Sequence, residues 1–170
     1  MSTLHICSLA KLHETVSKTG ARQIVTLLSD GTPIKRPESI AAERHLQLIT
    51  SDITAPMDGH ILPGTHHVEA LIAFIKNWDR IDPLVIHCWA GISRSTAAAF
   101  ITASVLNPSL DEMMLAKRLR AASPSATPNP RLIALADALL ERNGRMITAI
   151  DSIGRGEDAF EGTPFELVYD

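Results

Sequence analysis

Cysteine is nearly absent from this chain, with only Cys7 and Cys88 among 170 residues. Two thiols cannot supply the disulfide framework of a small secreted domain, so a reducing compartment is expected. Aromatic residues are also scarce, at 4%, within a hydrophobic content of 45%. The core must therefore be built mostly from aliphatic side chains and alanine, and the length suits one globular domain over residues 1–170. Neither sign of charge dominates, because 16 basic residues face 19 acidic ones for a net charge of −3. That balance excludes a global attraction to nucleic acid or to an anionic membrane, so any anion site must be local. The longest stretch without an ionisable side chain, residues 95–110, contains Pro108 and falls short of the ~20 apolar residues of a spanning helix. Met1-Ser2-Thr3-Leu4-His5 lacks the cationic start and apolar segment of a secretory signal. The expectation is a soluble, cytoplasmic protein without repeats or low-complexity segments.

Apolar periodicity divides the chain into alternating strands and helices. Leu4-His5-Ile6-Cys7-Ser8-Leu9 reads as a short strand, and residues 10–19 as a helix closed by Gly20. Gln23-Ile24-Val25-Thr26-Leu27-Leu28 is a second strand, which makes a right-handed parallel βαβ unit with the first. A helical turn near residues 40–44 leads into a third strand, His45-Leu46-Gln47-Leu48-Ile49. Residues 51–63 hold Asp52, Pro56, Asp58-Gly59 and Pro63, so they read as a long loop, of a length that in compact domains is often functional. Val68, Leu71, Ile72, Ile75 and Trp78 then mark one face of an amphipathic helix. The near-continuous apolar run from Leu84 to His87 suits a central parallel strand. Beyond it, the helix from Ala97 to Leu106 is apolar all round and so is expected to be buried. Ser109-Leu110-Asp111-Glu112 reads as a capping box, with Lys117, Arg118 and Arg120 near the far end of its helix. Asn129-Pro130 starts another helix with a stripe of Leu132, Leu135, Ala136, Leu139 and Leu140, and residues 145–153 form one more. The tail 154–170 reads as irregular, docked by Phe160, Phe165 and Leu167. The fold class is thus α/β, a mostly parallel sheet of about four strands flanked by helices.

The chemistry concentrates in His87-Cys88-Trp89-Ala90-Gly91-Ile92-Ser93-Arg94-Ser95, which links the fourth strand to the buried helix. A strand–loop–helix of this kind lets the amides of Trp89, Ala90, Gly91, Ile92, Ser93 and Arg94 curl around one point, an anion nest at a helix N-terminus. Cys88 lies at its base, where amides and helix dipole favour a thiolate, the nucleophilic form of cysteine. Gly91 permits the tight curl. Arg94 offers a planar fork matching two oxygens of a phosphoryl group. Ser95 can donate to the Cys88 sulfur when that sulfur leaves. His87 either tunes the thiolate or is structural, and Trp89 either packs on the body or shapes the mouth.

This run resembles the Cys-x5-Arg loop of the protein tyrosine phosphatases, and the chain length resembles their dual-specificity or bacterial single-domain branch. The specific likeness is confined to the loop, while the order of elements is similar over residues 4–140. The resemblance implies a phosphomonoester hydrolase working through a cysteinyl-phosphate, without metal or other cofactor, on a phosphorylated protein or a small phosphoester. It also implies a general acid on a loop upstream of the cysteine. Asp52, with Pro56 at the family's offset, is the preferred candidate, and Asp58, followed by Gly59, is the alternative. A non-catalytic phosphate-binding pseudophosphatase and a rhodanese-type sulfurtransferase remain as other readings of the loop. His60, His66 and His67 make no recognisable metal-ligand spacing. Cys7 is either a small core residue or a thiol able to protect Cys88 by a reversible disulfide.

Overall fold

The apolar runs of the sequence become the strands of one sheet. The computed structural model describes residues 3–170, so the first two residues of the segment weighed as a leader lie outside it. Strands β1 (Leu4–Ser8), β2 (Gln23–Leu28), β3 (His45–Ile49) and β4 (Leu84–Cys88) are parallel neighbours in the order β3-β2-β4-β1. A fifth strand, β5 (Phe165–Leu167), pairs antiparallel with the outer edge of β1. The sheet therefore has five strands, one more than sequence periodicity indicates.

Side chains alternate across the sheet and seed a core on each face. On one face Cys7, Ile24 and Val85 pack against Leu12 and Val16 of α1 (Leu12–Thr19), which a short 3-10 turn precedes. On the other face Leu4, Ile6, Leu84, Ile86 and Cys88 join the larger core. That core is closed by α2 (Thr65–Lys76), α3 (Arg94–Leu106), α4 (Glu112–Ala122), α5 (Pro130–Leu139) and α6 (Arg145–Ile153). Helix α3 is buried along nearly its whole length, as its unbroken apolar and small-residue composition requires. None of the described helices is long and apolar enough to cross a membrane.

Three local features differ from the sequence reading. Asp111 alone caps α4, accepting from Met114 N at 2.9 Å, while Ser109 Oγ instead donates to Asn107 Oδ1 at 2.8 Å. In α5 the fully buried stripe is Leu132, Ile133 and Ala136, and Leu135 and Leu139 are only partly covered. The tail is also more ordered than its glycines indicate. Arg120 donates to the carbonyls of Ile153 and Gly154, and Arg118 to those of Val168 and Asp170. These arginines thus fasten the C-terminal segment as well as standing at the end of α4, and Phe160 remains exposed rather than docked in the core.

Candidate active site

The carboxyl ends of β1 to β4 converge on one edge of the sheet, the edge where open α/β sheets hold their ligands. Cys88 ends β4, and its buried Sγ lies 3.1 Å from Ser95 Oγ and accepts the Gly91 amide at 3.3 Å. The loop between them turns its carbonyls outward. Trp89 O accepts from Leu9 N, Ala90 O from Gly162 N, Ile92 O from Thr127 N, and Ser93 O from Asn129 N. With the carbonyls held by the surroundings and α3 starting at Arg94, the loop is fixed against scaffold on several sides. Gly91 has φ +72°, and a Cβ there would sit 2.8 Å from the Cys7 carbonyl carbon. Both the left-handed turn and the close approach to β1 thus require glycine.

Arg94 is buried yet only partly satisfied. Its Nη1 donates to Ser29 Oγ at 3.2 Å and to Thr50 O at 2.9 Å, groups just beyond the ends of β2 and β3. Its Nε is buried without a hydrogen-bond partner among the described residues. A buried cationic donor left unpaired is costly, and an anion beside it removes that cost.

Asp52 sits at the neck of the long loop, which is closed by Ser51 N donating to Ile61 O at 2.8 Å. One carboxylate oxygen, Oδ1, accepts from Ser93 Oγ at 2.7 Å and from Asn129 Nδ2 at 2.8 Å. Asn129 also uses its Oδ1 to cap α5, accepting from Arg131 N and Leu132 N. One side chain therefore joins a helix start to the aspartate loop. Asp58 stands at the other end of that loop, exposed, in a turn where His60 N donates to Met57 O. The structure brings Asp52 to the cysteine loop and leaves Asp58 at the loop tip. From the sequence, Asn129 is legible only as part of a helix start, because nothing local reveals what its amide meets.

His87 is fully buried, and burial pushes its pKa down to about 4. A carbonyl only accepts, so the 3.3 Å contact with Cys88 O requires the proton on Nδ1. Nε2 then accepts from Thr26 Oγ1 at 2.7 Å, and Thr26 Oγ1 accepts from His45 Nε2 at 2.7 Å. This neutral chain braces the backbone of Cys88, through its carbonyl oxygen rather than its sulfur. His67 is likewise structural, taking the Gly64 amide at Nδ1 and donating from Nε2 to Ile49 O. Cys7 belongs to the core on the other face of the sheet from Cys88, and burial raises its thiol to about 12. That placement suits a core residue and disfavours a disulfide with Cys88. Trp89 is half exposed on the rim of the loop, beside Phe160.

No protein-family model matches the sequence, and no curated protein matches it. Solved structures do resemble it. DUSP15 superposes with a TM-score of 0.63 at 17% identity, covering 90% of this chain and 91% of that one. Human DUSP28 gives 0.62 at 20% identity over 82% and 89%. The Cydia pomonella PTP-2 phosphatase gives 0.62 at 21% identity over 79% and 84%. With its sheet, helices and strand–loop–helix in this arrangement, the chain has the fold of the tyrosine and dual-specificity phosphatases.

Proposed function

We propose that the protein is a cysteine-dependent phosphomonoester hydrolase of the dual-specificity type. The observation that carries this reading is the buried Arg94, anchored through Nη1 and with its Nε unpaired among the described residues, one residue before the Ser95 that touches Cys88 Sγ. The amides from Trp89 to Arg94 and the Arg94 fork would cradle the phosphate, with Cys88 thiolate in line for attack.

In the first step a Cys88 Sγ lone pair forms the S–P bond as the P–O bond to the leaving group breaks. Asp52, held through Oδ1, gives its proton from Oδ2 to that oxygen. In the second step Asp52 takes a proton from water as the water attacks phosphorus and the S–P bond breaks. Ser95 Oγ–H stabilises the departing thiolate, and inorganic phosphate is released. Arg94 and the loop amides offset charge on the equatorial oxygens in both steps. A phosphorylated protein and a small phosphoester both fit this chemistry.

Turnover of p-nitrophenyl phosphate without added metal tests the reading. Cys88→Ser is expected to abolish it, and Asp52→Ala to lower kcat by roughly 10²- to 10⁴-fold. Asp58→Ala is expected to leave the rate near that of the parent, and vanadate to inhibit competitively as a transition-state mimic. Activity that survives Cys88→Ser overturns the proposal. So does a parent enzyme that releases no phosphate but forms thiocyanate from thiosulfate and cyanide.

A further inference from the structure

The chain has only seven aromatic residues of the Phe, Trp and Tyr types, four, two and one respectively, yet two of them meet on the surface beside the cysteine loop. Trp89 is 49% exposed and Phe160 81%, with ring centroids 5.4 Å apart and planes at 88°. Although exposed, Phe160 is carried on an anchored backbone. The next residue, Glu161, accepts from Ser8 Oγ at 2.5 Å, and Gly162 N donates to Ala90 O at 2.8 Å. Gly162 packs so closely that a Cβ there would lie 2.8 Å from Gly91 O. The strap that presents Phe160 is therefore seated on the cysteine loop itself.

Between strap and loop lies a pocket of about 330 Å³ lined by Leu9, Ala10, Trp89, Phe160 and Glu161. That volume falls at the lower end of the ~300–1,000 Å³ range of small-molecule sites. Its walls are apolar and aromatic apart from one carboxylate, Glu161. Two perpendicular rings present both a face and an edge, which suits a flat apolar group. The carboxylate, in turn, repels a second phosphate. Because Trp89 belongs both to the loop and to this wall, a group seated here lies beside whatever the loop holds.

Resting on the hydrolase reading above, we infer that Trp89, Phe160 and Glu161 form a specificity subsite for an uncharged, flat apolar group lateral to the substrate's phosphate. Phosphomonoesters with such an arm are preferred over compact ones and over esters bearing a second anionic group. The arm can belong to a phosphopeptide, as a side chain near the phosphorylated residue, or to the second fused ring of a naphthyl ester, which reaches beyond the single ring of p-nitrophenyl phosphate.

Steady-state kinetics on p-nitrophenyl phosphate, 2-naphthyl phosphate and paired phosphopeptides with Phe or Ala beside the phosphorylated residue test this. Phe160→Ala is expected to raise KM for the extended ester or the Phe peptide roughly tenfold, the equivalent of one aromatic contact. The same variant is expected to leave kcat, and both constants for p-nitrophenyl phosphate, at parental values, and Phe160→Tyr to restore the low KM. Which extended substrate responds identifies the source of the arm. Equal losses on compact and extended substrates would mean that the strap only supports the loop, and no loss on either would mean an empty pocket; each overturns the subsite. Concentration-dependent association of the parent, lost in Phe160→Ala, would assign the pocket to a second copy and also overturn it. If the parent hydrolyses no ester at all, it is the hydrolase reading that fails, a result separable from the others.

Discussion

Asp52 and Asn129 stand 77 positions apart in the chain, and the carboxylate Oδ1 of one accepts from the amide Nδ2 of the other at 2.8 Å. Asn129 holds a second post as the cap of α5. Its two polar atoms thus divide between stability and the orientation of the proposed acid.

These two roles can be separated by substitution. Asn129→Ser keeps a capping oxygen but loses the amide donor. It is expected to lower kcat on p-nitrophenyl phosphate about tenfold, the rate equivalent of one hydrogen bond to a charged group, with KM unchanged. The melting temperature is expected to stay near that of the parent. Asn129→Ala removes both functions and is expected to cost about 1 kcal/mol of stability besides the rate. Full kcat in the serine variant would show that the amide does not orient Asp52.

A buried neutral histidine makes stability depend on pH in a defined direction. The folded pKa of His87 is depressed to about 4 from 6.5, so between these values the unfolded chain binds the extra proton. The stabilisation is complete above pH 6.5, is lost as pH falls, and is gone below about 4. Burial lowers His45 and His67 in the same sense. Urea midpoints followed from pH 7 to 4 are expected to fall, with His87 contributing on the order of 3 kcal/mol. His87→Gln removes that titration, so its midpoint curve is expected to be flatter over this window. Parallel curves for the two proteins would contradict the neutral, buried assignment.

The two cysteines are expected to differ sharply in reactivity. Burial raises the Cys7 thiol to about 12, so at neutral pH it carries almost no thiolate. Brief iodoacetate treatment at pH 7 is expected to add one carboxymethyl group, located at Cys88 by peptide mass mapping, and none in Cys88→Ser. Adding denaturant is expected to expose Cys7 to slow labelling. Labelling of Cys7 in the native protein, or a Cys7–Cys88 disulfide after mild peroxide, would contradict its place on the far side of the sheet.

The long aliphatic elements were legible because local pattern decides them. Ile24 to Leu28 and Leu84 to His87 are short apolar runs of strand length bounded by turns, and Ala97 to Leu106 is a longer run of small and apolar residues that suits a buried helix. Strand β5 was not legible, since Phe165-Glu166-Leu167 is too short for periodicity to register. It is a strand because the free edge of β1 supplies its backbone partners. The start of α4 was misread for a related reason. Ser109 and Asp111 are both competent caps, and the path of the turn gives Met114 N to the aspartate.

The nine residues from His87 to Ser95 already hold the proposed nucleophile, the glycine curl, the guanidinium and the serine, because a strand–loop–helix turn of this kind is a local structure. What the sequence by itself determined, then, was the set of groups on which the proposed chemistry rests. Only the tertiary structure decided its surroundings: Asp52 rather than Asp58 beside Ser93, Asn129 behind Asp52, Thr50 O and Ser29 anchoring Arg94, and Phe160 strapped next to Trp89. Each of those contacts joins groups more than forty positions apart. Which donors and acceptors meet at that range depends on how strands are ordered in the sheet and where their loops emerge, which a local run of residues does not encode.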